Sequence, residues 1–203
     1  MQSNWRVTSL RFLQQRIGWA DPLFLFVCML LLQPWVSELA YLRTALWQEP
    51  WRLWTAHWVH VGGWHLLLNA AAVMLLPYVL AALRRWQFWS LLFILSSSLS
   101  LLLYWCDPVL TAYVGLSGVL HGLYVAAALL ACADRHERRF AVFVLCAVVV
   151  KLGLETQMGQ GGTAQLIGAP VVFAAHQYGV LLALFWVLCA LIVKKALNSR
   201  QNG

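Results

Sequence analysis

The sequence predicts an all-α, polytopic membrane protein: a bundle of six transmembrane helices with both termini in the cytoplasm. Three observations carry that prediction. The chain is 62% hydrophobic and only 10% charged over 203 residues, with a mean hydropathy of +0.73, well outside the range of a soluble globular domain. Apolar runs long enough for a bilayer, about 17 to 25 residues, recur along the chain. Lys and Arg gather in alternate connections, as they do in cytoplasmic loops.

The runs fall at residues 22–41, 64–83, 87–105, 113–133, 140–156 and 170–193. The fifth is the least regular: its clean apolar stretch, 140–150, is followed by Lys151, so the helix either extends toward Glu155 or lets Lys151 snorkel to the interface. Arg6, Arg11 and Arg16 precede the first run, and Arg84 and Arg85 lie between the second and third. Arg135, Arg138 and Arg139 separate the fourth from the fifth, and Lys194, Lys195 and Arg200 follow the sixth. Only Arg43, Arg52 and Lys151 of the 14 basic residues fall elsewhere. Both termini are therefore expected inside, in a single domain spanning 1–203 with short cytoplasmic tails at 1–20 and 194–203.

The net charge of +7 is accounted for by this topology. A nucleic-acid partner would need a soluble basic face, and none is expected here. The first twenty residues are too polar, and the run after them too long, for a cleaved signal peptide. Cys28, Cys106, Cys132, Cys146 and Cys189 are scattered without a C-x-x-C spacing, which points to neither a disulfide framework nor a metal cage.

Polar side chains at membrane depth are costly and mark function. His65, Asn69, Ser117 and His176 stand out. In the topology above, the second, fourth and sixth spans all run from the outer face inward. With a rise of about 1.5 Å per residue, Asn69, Ser117 and His176 then lie roughly 6 to 9 Å below their span starts, with His65 nearer the surface. Gly62 and Gly63 disfavour helix, so His60 belongs to the outer loop and the second span begins near Trp64. His65 and Asn69, four apart, share one face and aim donors at one spot, or else glue the bundle by interhelical hydrogen bonds.

Around Ser117 the chain reads Gly115-Leu116-Ser117-Gly118. A serine in the first turn of an inward-running helix sits beside unpaired N–H groups and the positive dipole end, a favourable place for an oxyanion. Gly118 and Gly122 form a G-x-x-x-G face, and Ala175 and Gly179 form a matching small face. Close packing of the sixth span on the fourth would put His176 beside Ser117, the minimum for a general base acting on a serine. No carboxylate is expected at that depth: Asp107 and Glu155 read as loop residues and Asp21, Asp134 and Glu137 as cytoplasmic. The expectation is thus a Ser-His dyad lacking the third residue of a triad.

These residues resemble the rhomboid family of intramembrane serine proteases. The motifs are W-R-x-x-T at Trp51 to Thr55, H-x4-H-x3-N at His60, His65 and Asn69, G-x-S-G at Gly115 to Gly118, and A-H-x-x-G at Ala175 to Gly179, in the family's order. The resemblance implies Ser117 as nucleophile, His176 as base, and an oxyanion hole of His65, Asn69 and the Ser117 N–H. It implies structural support from His60, Trp51 and Arg52 in the first outer loop, no cofactor, no metal, and single-pass membrane proteins as substrates. His121 stands where the commonest bacterial pattern has Tyr. That position, with the string Gly115-Leu116-Ser117-Gly118-Val119-Leu120-His121-Gly122, looks like the rhombosortase branch. The branch implies a bacterial inner membrane, a site opening to the periplasm, and substrates ending in a Gly-Gly motif, a transmembrane segment and a basic tail. His121, one turn below Ser117, is expected to pack beneath His176 and orient it. Residues 156–169, with glycines at 159, 161, 162 and 168, resemble a movable cap that admits water and substrate.

Other readings stay open from sequence: a general rhomboid protease with other substrates, a non-catalytic relative that binds membrane clients, or a metal-binding protein using His60, His65, His121 and His176.

Overall fold

The computed structural model describes residues 16–79 and 83–201. Arg6, Arg11 and most of the 1–20 tail lie outside the described residues, as do 80–82 near the end of the second predicted span. A helix overlaps each of the six apolar runs. The first is α1 (Ala20–Leu32), continued by a 3-10 turn at Gln33–Trp35 and by α2 (Val36–Leu39). Pro34 stands at the start of that turn and offers no N–H to the preceding ladder, which tightens the helix there. Then come β1 (Tyr41–Leu42), α3 (Arg52–Thr55), α4 (Gly63–Val79) and α5 (Arg85–Cys106). After β2 (Ala112–Tyr113) follow α6 (Ser117–Ala131), α7 (Arg138–Met158), the short α8 (Thr163–Ile167) and α9 (Phe173–Gln201).

Four stretches are long and apolar enough to cross a membrane among the described residues: Ala20–Leu39, Arg85–Cys106, Arg138–Met158 and Phe173–Arg200. The other two helices, Gly63–Val79 and Ser117–Ala131, are apolar but shorter. α6 starts later than the predicted run because Gly115, with φ of 119°, turns the chain into it. At 15 residues, α6 is about 22 Å long by helix rise, short of a hydrocarbon layer of about 30 Å.

α6 is the hub of the bundle: eleven of its residues are buried, from Gly118 to Ala131, and it packs against α4, α5, α7 and α9. Its tightest partner is α9. A methyl group at Gly122 would stand 2.7 Å from the Gly179 carbonyl oxygen, and one at Gly118 2.8 Å from that of Ala175. At Gly179 the added carbon would meet the Gly118 oxygen at 1.9 Å. The two small-residue faces thus bring backbone against backbone, the contact that van der Waals packing in lipid rewards.

The all-α expectation omits one feature. Tyr41 pairs with Tyr113 and Leu42 with Ala112 in a two-residue antiparallel ladder joining the connections before α3 and α6. Two residues carry no periodicity, so nothing in the local pattern marks them as strand.

Candidate active site

The 37–62 connection is held by W-R-x-x-T. Arg52 is buried and donates from Nη1 to the carbonyls of Ser37, at 3.1 Å, and Ala40, at 2.6 Å, while its Nε pairs with Glu49. Trp51 donates its indole N–H to the Glu38 carbonyl at 3.4 Å, and Thr55 its hydroxyl to that of Leu39 at 2.8 Å. All three motif side chains grip one stretch of backbone, residues 37–40, in α2 and its exit toward β1.

His57, which the motif reading passed over, carries that frame to the serine. Its Nε2 meets Ser100 Oγ at 3.0 Å and the Ser96 carbonyl at 3.1 Å on α5, and its Nδ1 faces the Gly115 carbonyl at 3.4 Å. The Gly115 N–H in turn donates to Ala56 at 2.9 Å. The turn that launches Ser117 is therefore clamped from α5 through the first loop. His60 is buried beside His65, ring centroids 5.0 Å apart. Burial lowers His57 to a pKa of about 4 and His60 to about 3, the second helped by the neighbouring His65 ring.

Gly115 also makes room for His65: a side-chain carbon there would stand 2.6 Å from the His65 ring. His65 and Asn69, one turn apart on α4, both face a cavity of about 460 Å³ that Ser117, His121 and His176 share. Asn69 gives one amide N–H back to the His65 carbonyl at 2.9 Å, which leaves the second for the cavity. α4 lines one flank of this cavity and α7 the other, with Thr163, Ile167 and Val171 across its mouth. A smaller space of about 280 Å³ lies under β2 and residues 167–172, and it too contains Ser117, His65 and His176. Ser117 stands where the two meet.

Ser117 Oγ is 2.8 Å from His176 Nε2. The close approach of α6 and α9 at their glycines produces this contact. His121 lies one turn deeper on α6, donates from Nδ1 to the Ser117 carbonyl at 2.7 Å, and stacks on His176 with centroids 4.3 Å apart and planes at 17°. The remaining nitrogen of His176, Nδ1, is 2.8 Å from Glu155 Oε2. Here the expectation of a dyad without a carboxylate needs correcting. α7 runs through Gly153 and past the predicted limit at 156 to Met158, with Lys151 and Glu155 paired one turn apart on it, so Glu155 is a helix residue and not a loop residue. That extension carries Glu155, buried, to the level of His176.

The segment after α7 is built from turns. Gly159, Gly162 and Gly168 have φ of 53°, 57° and 69°, and the Gln160 side chain both donates to and accepts from the Val171 backbone, at 3.1 and 3.0 Å. The amide closes residues 160–171 into a loop over the cavity. As for a metal among the histidines, no group of three or more ligating side chains is present among the described residues. His176 has both ring nitrogens engaged by Ser117 and Glu155.

A serine hydroxyl bonded to an imidazole beside a cavity between apolar helices defines the class: a multi-pass membrane protein with the paired groups of serine hydrolase chemistry. The Rhomboid domain model matches residues 47–192, more than half of the chain and the whole of the site. The chain therefore belongs to the rhomboid family, which is a family of intramembrane proteases. No curated protein matches it.

Proposed function

We propose that this protein is an intramembrane serine endopeptidase of the rhombosortase branch, with six spans, cytoplasmic termini and a site opening to the periplasmic side of a bacterial inner membrane. The observation that carries the reading is the 2.8 Å contact of Ser117 Oγ with His176 Nε2 at the cavity of a rhomboid fold. Ser117 attacks the scissile carbonyl as His176 takes its proton. His65, Asn69 and the Ser117 N–H, a first-turn donor without an intrahelical acceptor, receive the negative charge that develops on the carbonyl oxygen. His121 braces the base by stacking.

The gap between α4 and α7 suits a helical anchor approaching sideways from lipid. A peptide bond within a helix is shielded by its own hydrogen bonds, so the anchor must unwind locally before Ser117 reaches it. Glycine supplies that weakness, at about 1 kcal/mol per residue relative to Ala. The substrate class is therefore an exported protein with a Gly-Gly pair at the outer end of a C-terminal transmembrane segment, followed by a basic tail. Cutting there frees the exported domain from the membrane.

Two measurements test the reading. A fluorophosphonate probe should label the wild-type protein and leave Ser117→Ala unlabelled. Proteomics of C-terminal peptides, in cells with and without the gene, should place cuts at or near Gly-Gly pairs just before such anchors. Replacing both glycines with Leu should slow cleavage severely. Cuts confined to proteins without that anchor would leave a general rhomboid protease and remove the branch assignment.

A further inference from the structure

We infer that Glu155 is a positioning residue for His176, giving a Ser117-His176-Glu155 relay in which Lys151 serves as the counter-charge of the carboxylate. The inference rests on the protease reading above and adds to it a third residue, on a helix that the motifs of the chain do not touch.

The geometry separates this from an ordinary lysine-glutamate pair on a helix. The two oxygens of Glu155 are divided: Oε1 takes Lys151 Nζ and Oε2 takes His176 Nδ1, the latter at 2.8 Å. The lysine side chain is 46% exposed and the glutamate 7%. Neutralising a half-exposed lysine does not require a buried partner, because its long stem lets the ammonium reach polar surroundings. Glu155 points inward, where its other hydrogen-bond partner among the described residues is the imidazole of His176. Burying a carboxylate is costly unless it is paired and hydrogen-bonded, and here the ammonium and the ring nitrogen together meet that need.

The consequence for His176 is chemical. A carboxylate paired with an ammonium is an acceptor, so Nδ1 must carry the proton that Oε2 receives. Nε2 is then left with its lone pair directed at the Ser117 hydroxyl, 2.8 Å away. That is the tautomer a general base needs; the opposite one would set a lone pair against the carboxylate. The stacked His121 limits tilting of the ring plane, and Glu155 limits rotation within it. During attack the Oγ–H proton passes to Nε2 as the Oγ–C bond forms. The ring becomes imidazolium with Glu155 beside its Nδ1–H, and the Nε2 proton then passes to the amine as the C–N bond breaks. Glu155 gains and loses no proton.

The test uses the full-length protein in detergent and a fluorescent fluorophosphonate, with the labelling constant kinact separated from the binding constant KI. Glu155→Gln keeps the shape but can offer an amide N–H to Nδ1, favouring the wrong tautomer. It should lower kinact by about 10²-fold or more with KI unchanged. Glu155→Asp should recover part of that loss. The double variant Lys151→Met/Glu155→Gln removes the orphaned ammonium, so a protein that needed Glu155 only as a counter-charge would regain wild-type labelling. The relay predicts that it stays as slow as Glu155→Gln. A low-field proton resonance from the His176 Nδ1–H should be present in the wild type and lost in both Gln variants. Wild-type kinact in folded Glu155→Gln, or full recovery in the double variant, overturns the inference. Should Glu155→Gln fail to give a cooperative thermal melt, Glu155→Asp and the double variant decide by the same readings. Labelling of Ser117→Ala at the wild-type rate would instead defeat the protease reading itself, whatever Glu155 does.

Discussion

Asp21 and Glu155 are both carboxylates sealed inside the helical layer, and what surrounds them differs. Asp21 is fully buried, is ion-paired with Arg85 at 2.7 Å from Nε, and accepts from the Trp89 indole at 3.0 Å and from the Gly18 N–H at 3.4 Å. No guanidinium, indole or backbone amide exchanges protons as an imidazole does. The cluster ties the start of α1 to the first turns of α5. Glu155 has two hydrogen-bond partners among the described residues, and one is an imidazole whose far nitrogen holds a hydroxyl at the edge of a cavity. Burial and ion pairing alone therefore do not mark a catalytic carboxylate. What separates the two is a partner that can itself exchange a proton, together with a space for substrate on the other side of it.

The largest expected effects test the hydroxyl and imidazole that distinguish the second site. Ser117→Ala and His176→Ala should each abolish cleavage and probe labelling while the protein still melts cooperatively, because neither residue forms the glycine contact of α6 with α9. The double variant should be no worse than either alone, since the two groups act in one step. Residual turnover in pure Ser117→Ala would remove the contrast with Asp21 altogether. Gly179→Ala should come next. Its new carbon would stand 1.9 Å from the Gly118 oxygen, so α9 must retreat and take His176 with it. Both activity and melting temperature should fall, whereas the catalytic-residue variants lose only the first.

The oxyanion donors should show graded effects. His65→Ala or Asn69→Ala removes one donor among several, expected to cost about 10² to 10³ in rate. His121 should matter less. His121→Tyr keeps an aromatic ring under His176 and should retain more activity than His121→Ala, which leaves a void beneath a base still held by Ser117 and Glu155. Equal activity in all three proteins would reduce His121 to lining.

Much of this site was legible because its parts lie on short local patterns. Gly115 to Gly118, Ala175 to Gly179 and the four-residue spacing of His65 and Asn69 each show within one turn, and spacing along helices brings them to a common depth. Helices overlap the apolar runs, and four stretches among the described residues are long and apolar enough to cross a membrane. Glu155 was hidden for a physical reason. Its role depends on where α7 ends, and Lys151 interrupts the hydropathy just before it, so the residue read as part of a loop. The run at 140–156 allows the helix to reach Glu155, but its weakened hydropathy does not say which way that side chain points. His57 was hidden because its partners, Ser96, Ser100 and Gly115, are about 40 to 60 residues away in sequence, a contact no local pattern encodes. The β1–β2 ladder was missed because it is two residues long.

The first loop carries a pH dependence of its own. His57 and His60 are held neutral, at about 4 and about 3, against an unfolded value of about 6.5. Their contribution to stability is therefore complete above that unfolded value and is lost as pH falls through it toward the folded ones. Thermal melts between pH 7 and pH 4 should fall more steeply for the wild type than for His57→Gln, which has no ring to protonate. Parallel curves would mean that the loop opens without charging His57.

The smallest expected effect on chemistry is at Asp21, and it tests the comparison most directly. Asp21→Asn keeps the shape of the side chain and its capacity to accept from Trp89, but removes the charge opposite Arg85. Breaking a buried pair on one side costs about 3 to 5 kcal/mol in general. Arg85 has an exposed fraction of 14%, so part of that cost is relieved by movement of the guanidinium toward polar surroundings. The melting temperature should therefore drop by several degrees. The labelling constant kinact should stay within about twofold, because no hydrogen bond runs from Asp21 to the Ser117-His176 pair and a loss of less than 0.5 kcal/mol in the transition state corresponds to that factor. Arg85→Met combined with Asp21→Leu should restore much of the stability, since apolar replacement of both partners is often neutral. The same logic fails at Glu155, where removing both members of the lysine pair still leaves His176 without its acceptor. If Asp21→Asn slowed labelling as much as Glu155→Gln while the melting temperature stayed fixed, the two carboxylates would belong to one coupled system and the division drawn between them would be wrong.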